Sequence, residues 1–122
     1  IGLKGHDPVA YFTVGAPTTG KADISATHDG VAYQFSSTAN RDVFKADPKK
    51  YAPQFGGFCA MGVALERKLD GDPTAWTVAN GKLYVNVNKD VMKKYLEDVA
   101  GNNKKAEANW PKLSNKTPKS LS

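Results

Sequence analysis

The one thiol of this 122-residue chain is Cys59. It stands in the stretch Tyr51-Ala52-Pro53-Gln54-Phe55-Gly56-Gly57-Phe58-Cys59-Ala60-Met61-Gly62-Val63-Ala64, beside one of the two methionines. Cys59-x-Met61 offers two soft donors of the kind that suit Cu(I). In an extended segment, positions i and i+2 share a face and both sulfurs could reach one ion. In a helix they would lie roughly 200° apart. A helix beginning near Cys59 would instead stabilise a lone thiolate by its dipole. A Cys59 sealed in apolar packing would support neither chemistry. His6 and His28, the only histidines, could complete a metal site if the fold brings them near. No Cys-x-x-Cys or His-x-x-x-His spacing is present, which argues against a closed structural zinc site. Gly56 and Gly57 let backbone or ligand approach the sulfur. Phe55, Phe58 and Tyr11 are candidate wall residues, part of an aromatic set large enough to line a pocket for a small organic ligand.

The elements that must position these groups can be read from turn and cap signals. Asp7-Pro8 suits a helix start, with one turn through Val9–Phe12 and a strand as the competing reading. Asp29-Gly30 and Asn80-Gly81 are two-residue hairpin turns. The first joins Ile24–His28 to Val31–Ser36, with Val31, Tyr33 and Phe35 on one face. The second joins Ala75–Val78 to Lys82–Val87, with Leu83, Val85 and Val87 on one face and Tyr84 opposite. Ser36 or Ser37 caps a helix running to about Ala46, whose buried side is Ala39, Val43, Phe44 and Ala46. Pro48–Tyr51 adds a turn. Ala60–Leu65 fits helix or strand. Asn88 caps a helix carrying Val91, Met92, Tyr95, Leu96 and Val99, closed by Gly101. A further helix runs Asn102–Trp110 and stops at Pro111. The expected fold is α+β, a small single domain with two antiparallel β-hairpins and three or four short helices. The domain spans residues 1–112, and a polar tail, 113–122, is expected to be disordered.

Composition narrows the function classes. The formal net charge is +5, yet residues 1–60 carry six Lys/Arg against five Asp, so the excess belongs to the second half and above all to the tail. Arg41 and Arg67 are the only arginines, which disfavours nucleic-acid readout. No run approaches the ~20 apolar residues of a membrane span. A single cysteine cannot form an internal disulfide, so a thiol cycle needs an external thiol or a second copy in a homodimer. The chain starts at Ile1 rather than Met, and a removed leader is expected.

A set of short motifs, in order, resembles the bacterial YHS-domain proteins. It comprises Gly5-His6-Asp7-Pro8-Val9-Ala10-Tyr11-Phe12, Phe35-Ser36-Ser37, Asn40-Arg41-Asp42-Val43-Phe44, Asp47-Pro48, Tyr51 to Ala60, Gly71-Asp72-Pro73 with Trp76, Asn80-Gly81-Lys82-Leu83-Tyr84, and Asn109-Trp110-Pro111. The resemblance implies a small exported protein, periplasmic or secreted, from a group that includes metal-binding modules. It also implies weight on Cys59, whose position in some relatives is selenocysteine. Phe55, Phe58 and Met61 depart from the aromatic, often tyrosine, pattern of the family, and His6 stands where Tyr is commoner. The expected function is binding of a soft metal ion, copper by preference, with Cys59 as principal ligand and Met61, His6 and His28 as conditional ones. The alternatives are a redox-active thiol protein and a small organic-ligand module. A classical enzyme is not expected.

Overall fold

The computed structural model describes residues 2–116. Gly2–Gly5 forms a tight turn, followed by α1 (Ala10–Thr13), β1 (Lys21–His28), β2 (Val31–Phe35), α2 (Thr38–Ala46) and α3 (Pro48–Tyr51). A second tight turn, Gln54–Gly57, leads into α4 (Ala60–Ala64), β3 (Asp72–Ala79), β4 (Lys82–Asn86), α5 (Lys89–Leu96) and α6 (Val99–Leu113). β1 pairs with β2 and β3 with β4, each antiparallel in its own two-stranded sheet. The protein is thus a small α+β domain, as the turn signals predict. Among the described residues no helix is long and apolar enough to cross a membrane.

Both hairpins close where the dipeptides demand it. Asp29 and Gly30 sit at φ 50 and 76, Asn80 and Gly81 at φ 53 and 73, the left-handed conformations a two-residue turn requires. Ser37 and Asn88 cap α2 and α5 by accepting from Asn40 and Val91 N–H groups. Two apolar clusters form the core. The first gathers Tyr33, Phe35, Phe44, Leu83 and Val85 with Leu3, Val9 and Tyr11. The second gathers Phe55, Val63, Tyr84 and Tyr95 with residues of α4 and α6. β4 lies between them: Leu83 and Val85 face one cluster, Tyr84 the other, so both faces of the strand are covered. Fully burying a side chain of this size contributes about 1.5–3 kcal/mol.

Four expectations need correction. The inner side of α2 is Phe44 alone, because Val43 is 41% exposed and the helix docks its next turn through the polar Asn40. Gly101 does not end a helix. The break falls at Glu97-Asp98, and Gly101 lies in the first turn of α6, where Asp98 accepts its N–H. A Cβ on Gly101 would come within 2.2 Å of that carboxylate, so the glycine serves the cap. Pro111 sits inside α6 rather than stopping it. Leu113 is buried and Lys68 Nζ donates to the carbonyls of Ser114 and Lys116, so these residues pack with the body. The remainder of the predicted disordered tail, 117–122, lies outside the described residues.

The two halves of the chain repeat one another. At a single constant offset, Asp29-Gly30 falls on Asn80-Gly81, Tyr33 on Tyr84, the cap Ser37 on the cap Asn88, and Phe44 on Tyr95. β1 and β2 match β3 and β4 end for end, and each hairpin breaks register at the same place, Lys21/Ser25 and Asp72/Trp76. Upstream, and one residue further apart, Leu3-Lys4-Gly5 at φ 54, 50 and 85 match Phe55-Gly56-Gly57 at φ 58, 63 and 83. The bridge between His6 and Thr19 matches that between Phe58 and Asp70.

Candidate functional site around Cys59

Cys59 is placed by backbone on two sides. Its N–H donates to Leu69 O at 2.8 Å, and the residue bridges Val85 of β4 in parallel. It is itself the N-cap of α4, with φ −55 and ψ 118, and the Sγ folds back to accept from Gly62 N–H at 3.3 Å. A single-turn helix such as α4 is not stable alone. It is held from its far end by Asn109 of α6, whose amide donates to Val63 O and Ala64 O at 3.0 and 3.1 Å.

The sulfur is fully buried, but its setting is not purely apolar. Cys59 Sγ lies 3.5 Å from Asn86 Oδ1 and donates its S–H there. The same oxygen accepts Met61 N–H at 3.0 Å. That second bond fixes the amide orientation, since a flipped Asn86 would set Nδ2 against an N–H donor. Asn86 is 0% exposed, and its Nδ2 has no hydrogen-bond partner among the described residues. Burial pushes the Cys59 thiol above its ordinary range, while the backbone N–H groups of Gly62, Val87 and Met61 pull it part of the way back. In the resting structure the group is therefore a protonated thiol.

The helix-start geometry is the one observed, and burial outweighs the activation that a helix start alone would give. The structure brings Cys59 and Met61 to one amide through Met61's backbone. The Met61 side chain is half-buried against the second core cluster. The histidines are engaged elsewhere. His6 Nδ1 lies 3.0 Å from Leu3 O, and His28 lies 3.3 Å from Asp29 and edge-on to Phe44. Among the described residues no three of His, Cys, Asp and Glu gather as a metal-ion ligand set.

The wall residues divide. Phe55 is buried at positive φ, its ring beside Tyr84 and Trp110 at 6.0 and 5.9 Å. Phe58 stacks near Trp110 and under Lys68 Nζ, 4.7 Å from its ring centroid. Both rings line an open cleft of about 910 Å3 together with Gly56, Lys68 and Trp110. Gly57 contributes its carbonyl, which accepts Gly71 N–H at 3.2 Å. Tyr11 belongs to the other core, donating to Pro73 O at 2.7 Å beside Trp76.

Two residues that matter were not singled out from sequence. Asn86 could have been found: Tyr84 on the supposed outer face of β4 signals that this face is covered, and Asn86 lies on it two residues later. Asp7, whose local signal before Pro8 is that of a cap, does more than that. It accepts five hydrogen bonds, from Val9 N–H (2.8 Å), Ala10 N–H (3.3 Å), Ser36 N–H (2.9 Å), Ser36 Oγ (2.8 Å) and Asn40 Nδ2 (2.8 Å). Comparison with known proteins adds nothing to this geometry, because no family model, curated protein or solved structure matches the chain.

Proposed function

We propose that the protein is a small exported module that takes a soft metal ion, copper(I) by preference, on the sulfur of Cys59. The observation that carries this reading is the polar setting of a fully buried sulfur, with Gly62 N–H and Asn86 within contact and the Asn86 Nδ2 without a partner among the described residues. A cysteine used only as a small hydrophobe needs no such surroundings. The residues fit one thiolate ligand and not a closed set of four. Cys59 supplies the soft donor, Met61 is the nearest second one in the chain, and His6 and His28 have no part. A bound soft ion would replace the thiol proton, so binding releases a proton and tightens as pH rises. The motif resemblance to YHS-domain proteins, a group with metal-binding members, supports the same reading. Anaerobic Cu(I) titration of wild type and Cys59→Ser tests it: wild type should bind one equivalent that the variant loses, and equal stoichiometry and affinity would sink the idea.

The second reading is a redox-active thiol, favoured by the start of α4 at Ala60 with Cys59 as its cap. Its partner would be an external thiol or a second copy of the chain. The pH dependence of alkylation by iodoacetamide tests it. A midpoint at or above the unperturbed thiol value of ~8.5 in the metal-free protein removes the case for an activated nucleophile.

A further inference from the structure

The open cleft beside Phe55 and Phe58 encloses about 910 Å3 and is lined without Cys59. That volume suits a small molecule. One wall is aromatic. Phe58 and Trp110, both half-buried, set their rings 6.3 Å apart, and Lys68 Nζ lies 4.7 and 5.3 Å from the two ring centroids. Another wall comes from the first half of the chain and contains Tyr33, which is 2% exposed. Tyr11 and Tyr95 spend their hydroxyls on Pro73 O and Asn103 Oδ1. The Tyr33 hydroxyl has no such partner among the described residues. Burial and the nearby Asp29 carboxylate push it up to about 12, so at neutral pH it is a hydrogen-bond donor. Among the described residues the sealed side-chain polar atoms without a partner are Arg41 Nε and Asn86 Nδ2. The Tyr33 hydroxyl is not sealed, and the space it opens onto is the cleft.

We propose that this cleft binds a small planar aromatic carboxylate, its ring against Phe58 and Trp110 and its acid group held by the Tyr33 hydroxyl and the lysines of the rim. The charges of the cleft select the sign. Lys49, Lys68 and Lys82 line it against Asp29 and Glu107. Asp29 is engaged by His28 at 3.3 Å, which leaves Glu107 against three ammonium groups. Lys49 and Lys82 are exposed and make no ion pair among the described residues. Lys68 is 5% exposed and donates to two neutral carbonyls, so its charge meets no carboxylate among the described residues. A buried cation without a counter-charge draws an anion into the space beside it. The aromatic wall selects the shape, because flat rings gain from offset or edge-on contact with Phe and Trp beyond their buried area. This site is separate from the sulfur and does not rest on the metal reading.

The test is an NMR titration of the full chain with naphthoate, with its uncharged amide naphthamide, and with cyclohexanecarboxylate, which keeps the acid but not the flat ring. With naphthoate the indole N–H signal of Trp110 should move to saturation, while that of Trp76, which packs against Tyr11, stays in place. Naphthamide and cyclohexanecarboxylate should each bind more weakly. A stationary Trp110 signal, or equal affinities for the acid and its amide, overturns the proposal. Tyr33→Phe removes a hydroxyl that no described residue uses. It should leave the urea midpoint unchanged and weaken naphthoate binding about tenfold, the effect of one hydrogen bond to a charged group. Unchanged affinity in that variant overturns the proposal too. Reversing both rim charges, Lys49→Glu with Lys82→Glu, should weaken naphthoate about fivefold or more, and equal or tighter binding counts against the site in the same way. None of these readouts involves copper, so the Cu(I) titration and the cleft stand or fall separately.

Discussion

Asp7 and Cys59 are the same place in the fold used in two ways. Around Asp7 every oxygen is satisfied, and the five bonds tie the N-terminal turn to β2 and α2. Around Cys59 the occupant is a weak donor and acceptor, the neighbouring Asn86 N–H2 group has no partner among the described residues, and the Asn86 carbonyl accepts from the thiol. A fully satisfied buried network rigidifies, whereas a partly satisfied one marks a place whose chemistry is unfinished in the resting state. The difference sets a fully bonded acceptor in the first half against a sparsely bonded one in the second.

That division can be broken by measurement. Asp7→Ala strands up to five donors in a buried site and should cost about 3 kcal/mol or more in urea unfolding. Asn86→Leu removes the acceptor for Met61 N–H and the thiol, but also removes the orphaned amide, and should cost about 1–2 kcal/mol. If Asn86→Leu proves the more damaging, the Asn86 network rather than that of Asp7 carries the fold, and the contrast is inverted. The third effect is read in pH. Because burial raises the folded-state thiol above its unfolded value, its contribution to stability is fully present below the unfolded pKa of ~8.5 and is lost as pH climbs through the higher folded value. Wild type should therefore lose stability faster than Cys59→Ala above that pH, by at most about 1.4 kcal/mol per pH unit. Parallel curves would show that the thiol is not held protonated. The smallest effect is that of Ser36→Ala, which deletes one of the donors to Asp7 while leaving the backbone bond, at about 1 kcal/mol.

The hairpins, their turns and the α2 and α5 caps were legible because each rests on local rules: Asp29-Gly30, Asn80-Gly81, Ser37 and Asn88 act within a few residues of themselves. The helix boundary near residue 98 was missed because Gly101 imitates a C-terminal signal while its actual constraint is the Asp98 carboxylate beside it. The buried face of α2 was misread because its docking depends on Asn40 meeting Asp7 across the fold. For the site, the weight on Cys59 rests on its neighbours in sequence, but pattern alone does not decide the conformation at Cys59–Met61, and Asn86, distant in the chain, is supplied only by the fold. The repeat is barely visible in the sequence because little more than Gly30/Gly81 and Tyr33/Tyr84 is identical between the halves. What repeats is physical role: a left-handed turn, a capping acceptor, a large buried ring at Phe44 and Tyr95.

The bridge from Cys59 to Val85 has a consequence for solubility. Two separate two-stranded sheets give four strands that each pair on one side only. Register breaks in β1 and β3 distort two of those free borders, and such bulges discourage intermolecular pairing. β4 has no break of its own, and the backbone at Cys59 is what covers its outer border at Val85. Any event that lifts residues 58–60 away to admit a ligand also bares the backbone border of β4 at Val85. Access to the sulfur and resistance to self-association are thereby set by the same few hydrogen bonds.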